Sequence, residues 1–258
     1  MLHLTRFGNG PRALLAFHGI GQDGSCFASF AESSVNTDYT IYAVDLPFHG
    51  QTSWPFDAMN PISKTDWNVL ITRILLENNI ERFTVAGFSM GGKFALVTAE
   101  LFPDRVDELW LLAPDGITVS PWYWLATHTA AGRWLYRLFV VRIRLLTRIG
   151  KPLVRLGLID RSLLRFAEST LATREQRLRV YRSWVTFRHI NPALTALADS
   201  LNRYNIKTRI FLGAFDRVLP AHYVLPLTDR LHRYELTVLK TGHNRLVDLV
   251  GGVLDGVG

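Results

Sequence analysis

The chain has 258 residues, of which 48% are hydrophobic and 20% charged, with a formal charge of +7 and one cysteine, Cys26. That length allows one sizeable core carrying an inserted piece, and the composition excludes a disordered or fibrous chain. A lone cysteine excludes an intramolecular disulfide, a two-cysteine metal site and a redox pair, and with nothing demanding an oxidising compartment the cytoplasm is the expected location.

The first eleven residues read as a short strand and a turn at Asn9-Gly10-Pro11, because His3 and Arg6 interrupt them before the apolar core of a secretory signal could form. Short β-rich runs follow at residues 13–17, 40–44, 83–86, 109–112, 208–212 and 235–239, and helical apolar spacing at 66–76, 90–101, 221–231 and 244–254. Strands alternating with helices predict a parallel sheet with crossover helices. The longest apolar runs, 109–114 and 138–141, fall far short of the roughly 20 residues that a spanning helix needs.

Between Thr118 and Ile190 the alternation stops, and Leu, Arg and Trp recur at helical spacing. This segment reads as an insertion, giving a core of residues 1–117 and 191–258 and an inserted piece of 118–190. It holds fourteen Arg or Lys against Asp160, Glu168 and Glu175, a balance of +11 that leaves 7 − 11 = −4 on the rest. The body is mildly acidic and no nucleic-acid motif is present, so no nucleic acid is expected as a partner. The scattered His3, His128, His189, His222 and His232 lack ligand spacing, and no metal is expected.

Chemistry concentrates at three points. Gly87-Phe88-Ser89-Met90-Gly91 is a G-x-S-x-G string that about one chain in ten of this length would contain by chance, so its context decides. It follows the apolar run 83–86 and opens a helix at Met90, the strand-turn-helix that exposes a serine hydroxyl beside a helix N-terminus. A serine needs a base, and the base an orienting carboxylate. Asp216 ends the run 209–215, and His243 stands between the strand ending at Leu239 and the last helix. Asp115, after the strand 109–112, is the rival carboxylate; it also reads as a turn residue before Gly116.

With His18-Gly19-Ile20-Gly21 after the run 13–17 and Asp45-Leu46-Pro47-Phe48-His49-Gly50-Gln51-Thr52-Ser53 after the run 40–44, the chain resembles the α/β-hydrolase family over nearly its whole length, loosening only in the insertion. The resemblance implies an α/β fold with a mostly parallel, doubly wound sheet and a helical cap at 118–190. It implies a Ser89, His243, Asp216 triad, an oxyanion hole from the backbone N–H groups of Ile20 and Met90, and structural roles for His18, His49 and Asp45. No cofactor is implied. The expected reaction is hydrolysis of a small-molecule ester or related acyl substrate. Carbon–carbon bond hydrolases, thioesterases and acyltransferases share the same triad, and a receptor that only binds its ligand is a further alternative.

The insertion supplies the remaining candidates. Trp122, Trp124, Trp134 and Trp184 either pack together or line the substrate pocket. With residues 132–149 taken as one helix, Arg133, Arg137, Arg144 and Arg148 form a basic stripe spanning about 60°, and Arg142 lies about 180° from Arg133 in an apolar arc that includes Trp134, Leu135 and Phe139. Arg142 then either pairs with a structural carboxylate, snorkels to the edge of the arc, or faces the cavity and binds a substrate carboxylate or phosphate. The outer stripe is free to touch an anionic membrane surface or water. The oligomeric state is not legible.

Overall fold

The structure, a computed structural model, describes residues 1–55, 59–142, 152, 164, 168 and 170–254. Seven strands, β1 (Leu4–Phe7), β2 (Arg12–Phe17), β3 (Tyr39–Val44), β4 (Phe83–Phe88), β5 (Val106–Leu112), β6 (Lys207–Gly213) and β7 (Tyr234–Leu239), form one sheet in the order β1-β3-β2-β4-β5-β6-β7. Only β1 runs antiparallel to its neighbour. All six residues of β3 and of β4 are buried, as expected where helices cover both faces of a parallel sheet and the strand is a continuous apolar run. Alternation along β2 divides the core: Leu15 and Phe17 pack with Trp67, Phe94 and Leu197 on one face, Leu14 and Ala16 with Phe30, Trp110 and Val250 on the other.

Helices α1 (Lys64–Glu77), α2 (Met90–Leu101), α3 (Pro121–His128), α4 (Ala130–Arg142), α5 (Arg174–Thr186), α6 (Leu194–Arg203) and α7 (Leu246–Leu254) complete the frame used below. Capping boxes start α1 at Ser63 and Asp66 and α5 at Thr173 and Gln176, satisfying amide donors that a helix leaves open. Among the described residues of 118–190 there is no strand. No helix among the described residues is long and apolar enough to cross a membrane.

Three departures from expectation have local causes. Residues 221–231 are not one helix but a 3-10 turn, Ala221–Val224, followed by the single turn Leu225–Thr228, because Pro226 lacks the N–H that a continuous helix would use. Helix α6 was absent from the predicted elements, although Leu197, Ala198 and Leu201 form its buried side. On α4 the apolar arc is turned outward: Trp134, Leu135 and Phe139 are exposed, whereas Tyr136 and Val140 pack against Tyr181 and Val185 of α5. Arg142 is the last residue of α4; its side chain, and residues 143–149 of the anticipated longer helix, lie outside the described residues.

The start of α2 is wedged against β2, and a Cβ at Gly91 would collide with the Phe17 carbonyl. Gly91→Ala is therefore expected to destabilise the protein by about 3 kcal/mol or more, in the range of severe backbone clashes. Gly252→Ala, at a helical site with nothing within 4 Å of the added methyl, should be neutral or stabilising by up to about 1 kcal/mol. Thermal and urea unfolding of the two variants check the contrast.

Candidate active site

Ser89 sits between β4 and α2 with φ 51° and ψ −120°, a conformation L residues rarely adopt. Its N–H donates to the Leu112 carbonyl at 2.9 Å, and its carbonyl accepts from Gly92 N–H at 2.8 Å and Asp115 N–H at 2.9 Å. A Cβ at Gly87 would strike the Gly91 carbonyl, so the glycines of the motif answer a spatial need of this turn. The side chain is thereby thrust off the end of the sheet, over the positive end of α2.

The ends of β6 and β7 supply the partners. Asp216 follows β6, and its Oδ1 accepts from the N–H groups of Val218 at 2.8 Å and Leu219 at 3.0 Å, which aims Oδ2 at His243 Nδ1, 2.6 Å away. His243 Nε2 lies 2.9 Å from Ser89 Oγ. The carboxylate fixes the proton on Nδ1, which leaves the Nε2 lone pair to accept from the serine hydroxyl. Phe88 backs the imidazole, ring centroids 5.0 Å apart, and all three polar residues are buried. Asp115, the rival carboxylate, is instead 3.6 Å from Lys93 Nζ.

The loop carrying Ile20 is held by histidines that have no nitrogen to spare. His18 donates through Nδ1 to the Gly19 carbonyl at 2.7 Å and accepts the Leu46 N–H at Nε2, 3.0 Å. His49 donates to the Pro47 carbonyl at 2.9 Å and accepts the Gly21 N–H at 3.1 Å. Asp45 accepts from Gly24 N–H, Gln51 N–H and His3 Nδ1 at 2.7 to 2.9 Å, tying the same two loops together. Gly50, at φ 52°, stands where any Cβ would meet that carboxylate. Ile20 and Met90 both border Ser89. Met90 is the first residue of α2, so its N–H has no acceptor within the helix, and among the described residues no acceptor takes the Ile20 N–H.

Two cavities open on Ser89. One, of about 320 Å³, is lined by Met90, Lys93, Tyr123, Trp184, Val218 and Leu219; the other, of about 270 Å³, by Gly21, Gln22, Gln176, Arg179, His243 and Asn244; Ile20 lines both. The expected pocket aromatics need correcting. Trp122 and Trp124 are 79% and 52% exposed and line neither cavity; Tyr123 between them, about 100° round α3 from each, points inward and packs on Trp184. Among the described residues the guanidinium that lines the smaller cavity is that of Arg179 of α5. Lys93 was also missed, although an ammonium amid the apolar run of α2 is a legible signal. It is buried, 3.3 Å from Tyr123 Oη, and although burial disfavours its charge, Tyr123 and Asp115 outweigh that and raise its proton affinity. Among the described residues no group of three or more His, Cys, Asp and Glu could hold a metal ion.

A family model for the alpha/beta hydrolase fold matches residues 12–248. The chain is 34% identical over 116 residues to an uncharacterized protein of Mycobacterium tuberculosis, covering 43% of this chain and 31% of that one. It is 28% identical over 126 residues to a pimeloyl-[acyl-carrier protein] methyl ester esterase of Nitrosomonas europaea, covering 48% and 46%. The chain thus matches less than half the length of these relatives. The structure of a thermophilic esterase from Thermogutta terrifontis superposes with a TM-score of 0.68 at 17% identity, covering 99% of this chain and 91% of that one.

The buried loop histidines set an acid limit. Burial, aided by the neighbouring His18, lowers the His49 pKa to about 3, and burial lowers that of His18 as well. The unfolded chain therefore takes up these protons first. The contribution of His49 to stability is complete above the ordinary histidine value of 6.5 and falls as pH drops towards 3, by about 1.4 kcal/mol per pH unit, and His18 acts in the same direction. His49→Gln should flatten the decline in unfolding free energy between pH 6 and 4, measured by urea titration at each pH; an unchanged slope would exclude His49 as its source.

Proposed function

The chain belongs to the α/β-hydrolase fold family, and within that family we propose that it is a serine hydrolase cleaving a carboxylic ester or related acyl bond through an acyl-enzyme. One observation carries this reading: the unbroken relay from Asp216 Oδ2 to His243 Nδ1 at 2.6 Å and from His243 Nε2 to Ser89 Oγ at 2.9 Å. In the proposed cycle Ser89 Oγ attacks the acyl carbonyl while His243 Nε2 takes its proton, and the backbone N–H groups of Ile20 and Met90 hold the oxyanion. His243 then gives the proton to the departing oxygen as that bond breaks. Water, deprotonated by the same imidazole, attacks the acyl-enzyme carbonyl, and as the bond to Ser89 Oγ breaks His243 returns that proton to Oγ and the acid leaves. Asp216 remains ionised throughout, fixing the tautomer and stabilising the imidazolium.

Residues 1–117 and 191–258 would then form the catalytic core and 118–190 a cap, whose Tyr123, Trp184 and Arg179 wall the two cavities. The similarity to an esterase supports an ester as the scissile group. Thioester and carbon–carbon cleavage and acyl transfer run on the same relay, so product analysis with and without an added alcohol separates hydrolysis from transfer.

A fluorophosphonate probe should label the protein at Ser89 and fail to label Ser89→Ala. Asp216→Asn should lower kcat/KM on p-nitrophenyl butyrate by about a thousandfold or more, and Asp115→Asn by about tenfold or less. Labelling that survives Ser89→Ala, or the reverse ranking of the two aspartates, overturns the assignment.

A further inference from the structure

Proton transfer gives the site a direction. The oxygen that leaves in acylation must receive its proton from His243 Nε2, so the leaving group lies on the side of the imidazole. Among the described residues His243 and Asn244 line the smaller cavity and not the larger, whereas Met90, Val218, Leu219 and Trp184 line the larger and not the smaller. Building on the serine-hydrolase reading, we infer that the larger cavity takes the acyl half of the substrate and the smaller one the leaving group, and that Arg179 selects leaving groups carrying a carboxylate or phosphate.

Arg179 is suited to that role by what holds it. Among the described residues its carboxylate neighbour is Glu175, at 3.9 Å, whose side chain is 87% exposed, and so loose and solvated an ion pair binds the guanidinium weakly. Gln176, three residues earlier on α5, and Gln22 and Asn244 add amide groups to the same wall. The charge of Arg179 reaches the loop around Ile20: after burial, it is among the influences that lower the proton affinity of both His18 and His49. A guanidinium offers two parallel N–H groups to a planar carboxylate or a phosphate, a match that an ammonium lacks. In the larger cavity the cation is Lys93, already engaged by Tyr123 and Asp115.

Butyrate esters with one acyl group and different leaving groups test this: 4-butyryloxybenzoate, its neutral methyl ester and 4-butyryloxyphenyl phosphate. Arg179→Gln should lower kcat/KM for one or both anionic esters by more than about tenfold and for the neutral ester by less than about twofold, with part of the loss recovered in Arg179→Lys. The two anionic substrates tell a carboxylate from a phosphate. Equal losses on charged and neutral esters, or a charge preference seen only with the acyl-side anion of mono-4-nitrophenyl adipate, overturn the inference. Failure of the wild type to hydrolyse any ester would instead remove the reading beneath it.

A second observation stands apart from the cavities. Trp122, Trp124 and Leu125 on α3 and Trp134, Leu135 and Phe139 on α4 are all exposed, on a segment whose charge balance is +11. Exposed tryptophan and leucine on a basic sequence segment suit the interface of an anionic bilayer, and we propose that these side chains rest there. Wild-type protein should cosediment with vesicles containing phosphatidylglycerol but not with pure phosphatidylcholine. The Trp134→Ser, Leu135→Ser, Phe139→Ser variant should stay in the supernatant while retaining soluble-ester activity. Absence of vesicle binding, or a self-association abolished by the same substitutions, overturns it.

Discussion

Ser89 holds a φ of 51°, which costs a residue with a Cβ on the order of 1 kcal/mol or more, and the surrounding chain must supply that energy. It does so through the main chain: the Leu112 carbonyl takes the Ser89 N–H, and the N–H groups of Gly92 and Asp115 meet the Ser89 carbonyl. Both glycines of the motif sit where any side chain would strike backbone, Gly87 against Gly91 and Gly91 against Phe17. The strained peptide is thus clamped between β2, β5 and α2, and the hydroxyl has one direction left. The positions of Asp216 and His243 matter only because this turn delivers Oγ to the same end of the sheet where β6 and β7 terminate.

Three histidines near the site differ in what their nitrogens do. His18 and His49 spend both on the main chain, and burial keeps them neutral, so they act as polar bolts between the 18–24 and 45–52 loops. His243 spends one nitrogen on Asp216 and points the other at a hydroxyl. Residue type alone does not separate these cases. The hydrogen-bond partners do.

What could be read from residues alone was set by periodicity. Each of the six β-rich runs from 13–17 to 235–239 lies within an observed strand. Strands β3 and β4, buried on both faces, leave continuous apolar runs, the exposed edge strand β7 is marked by its alternating apolar residues, and the turn at Ser89 by glycines whose Cβ would strike backbone. The helical segment resisted for a geometric reason. Helical spacing gives the relative angles of side chains around an axis but not which angle faces the core, and on α4 the richer apolar arc faces outward while Tyr136 and Val140 face α5. The same missing rotation leaves Trp122 and Trp124 indistinguishable from Tyr123 as pocket residues in the sequence. Pro226 was a legible breaker passed over in favour of apolar spacing.

The cavity walls therefore come from two sources with different constraints. The floor, made of Ile20, Ser89, Met90 and His243, is fixed by loops whose polar groups are matched to one another, and a change there disturbs the sheet edge as well as the chemistry. The roof is built from side chains of α3 and α5 that touch one another across helices, as Tyr123 and Trp184 do with ring centroids 5.2 Å apart. Substitutions on such a surface change the shape and charge of the cavities without altering a backbone hydrogen bond of the floor. On the proposed mechanism, because His243 lines the smaller cavity and not the larger, a side chain above His243 would meet the departing half of a substrate, and one above Met90 the half that stays on the serine. The proposed proton route would turn a difference in lining, an arginine on one side and aromatic and branched residues on the other, into an order of events along the reaction.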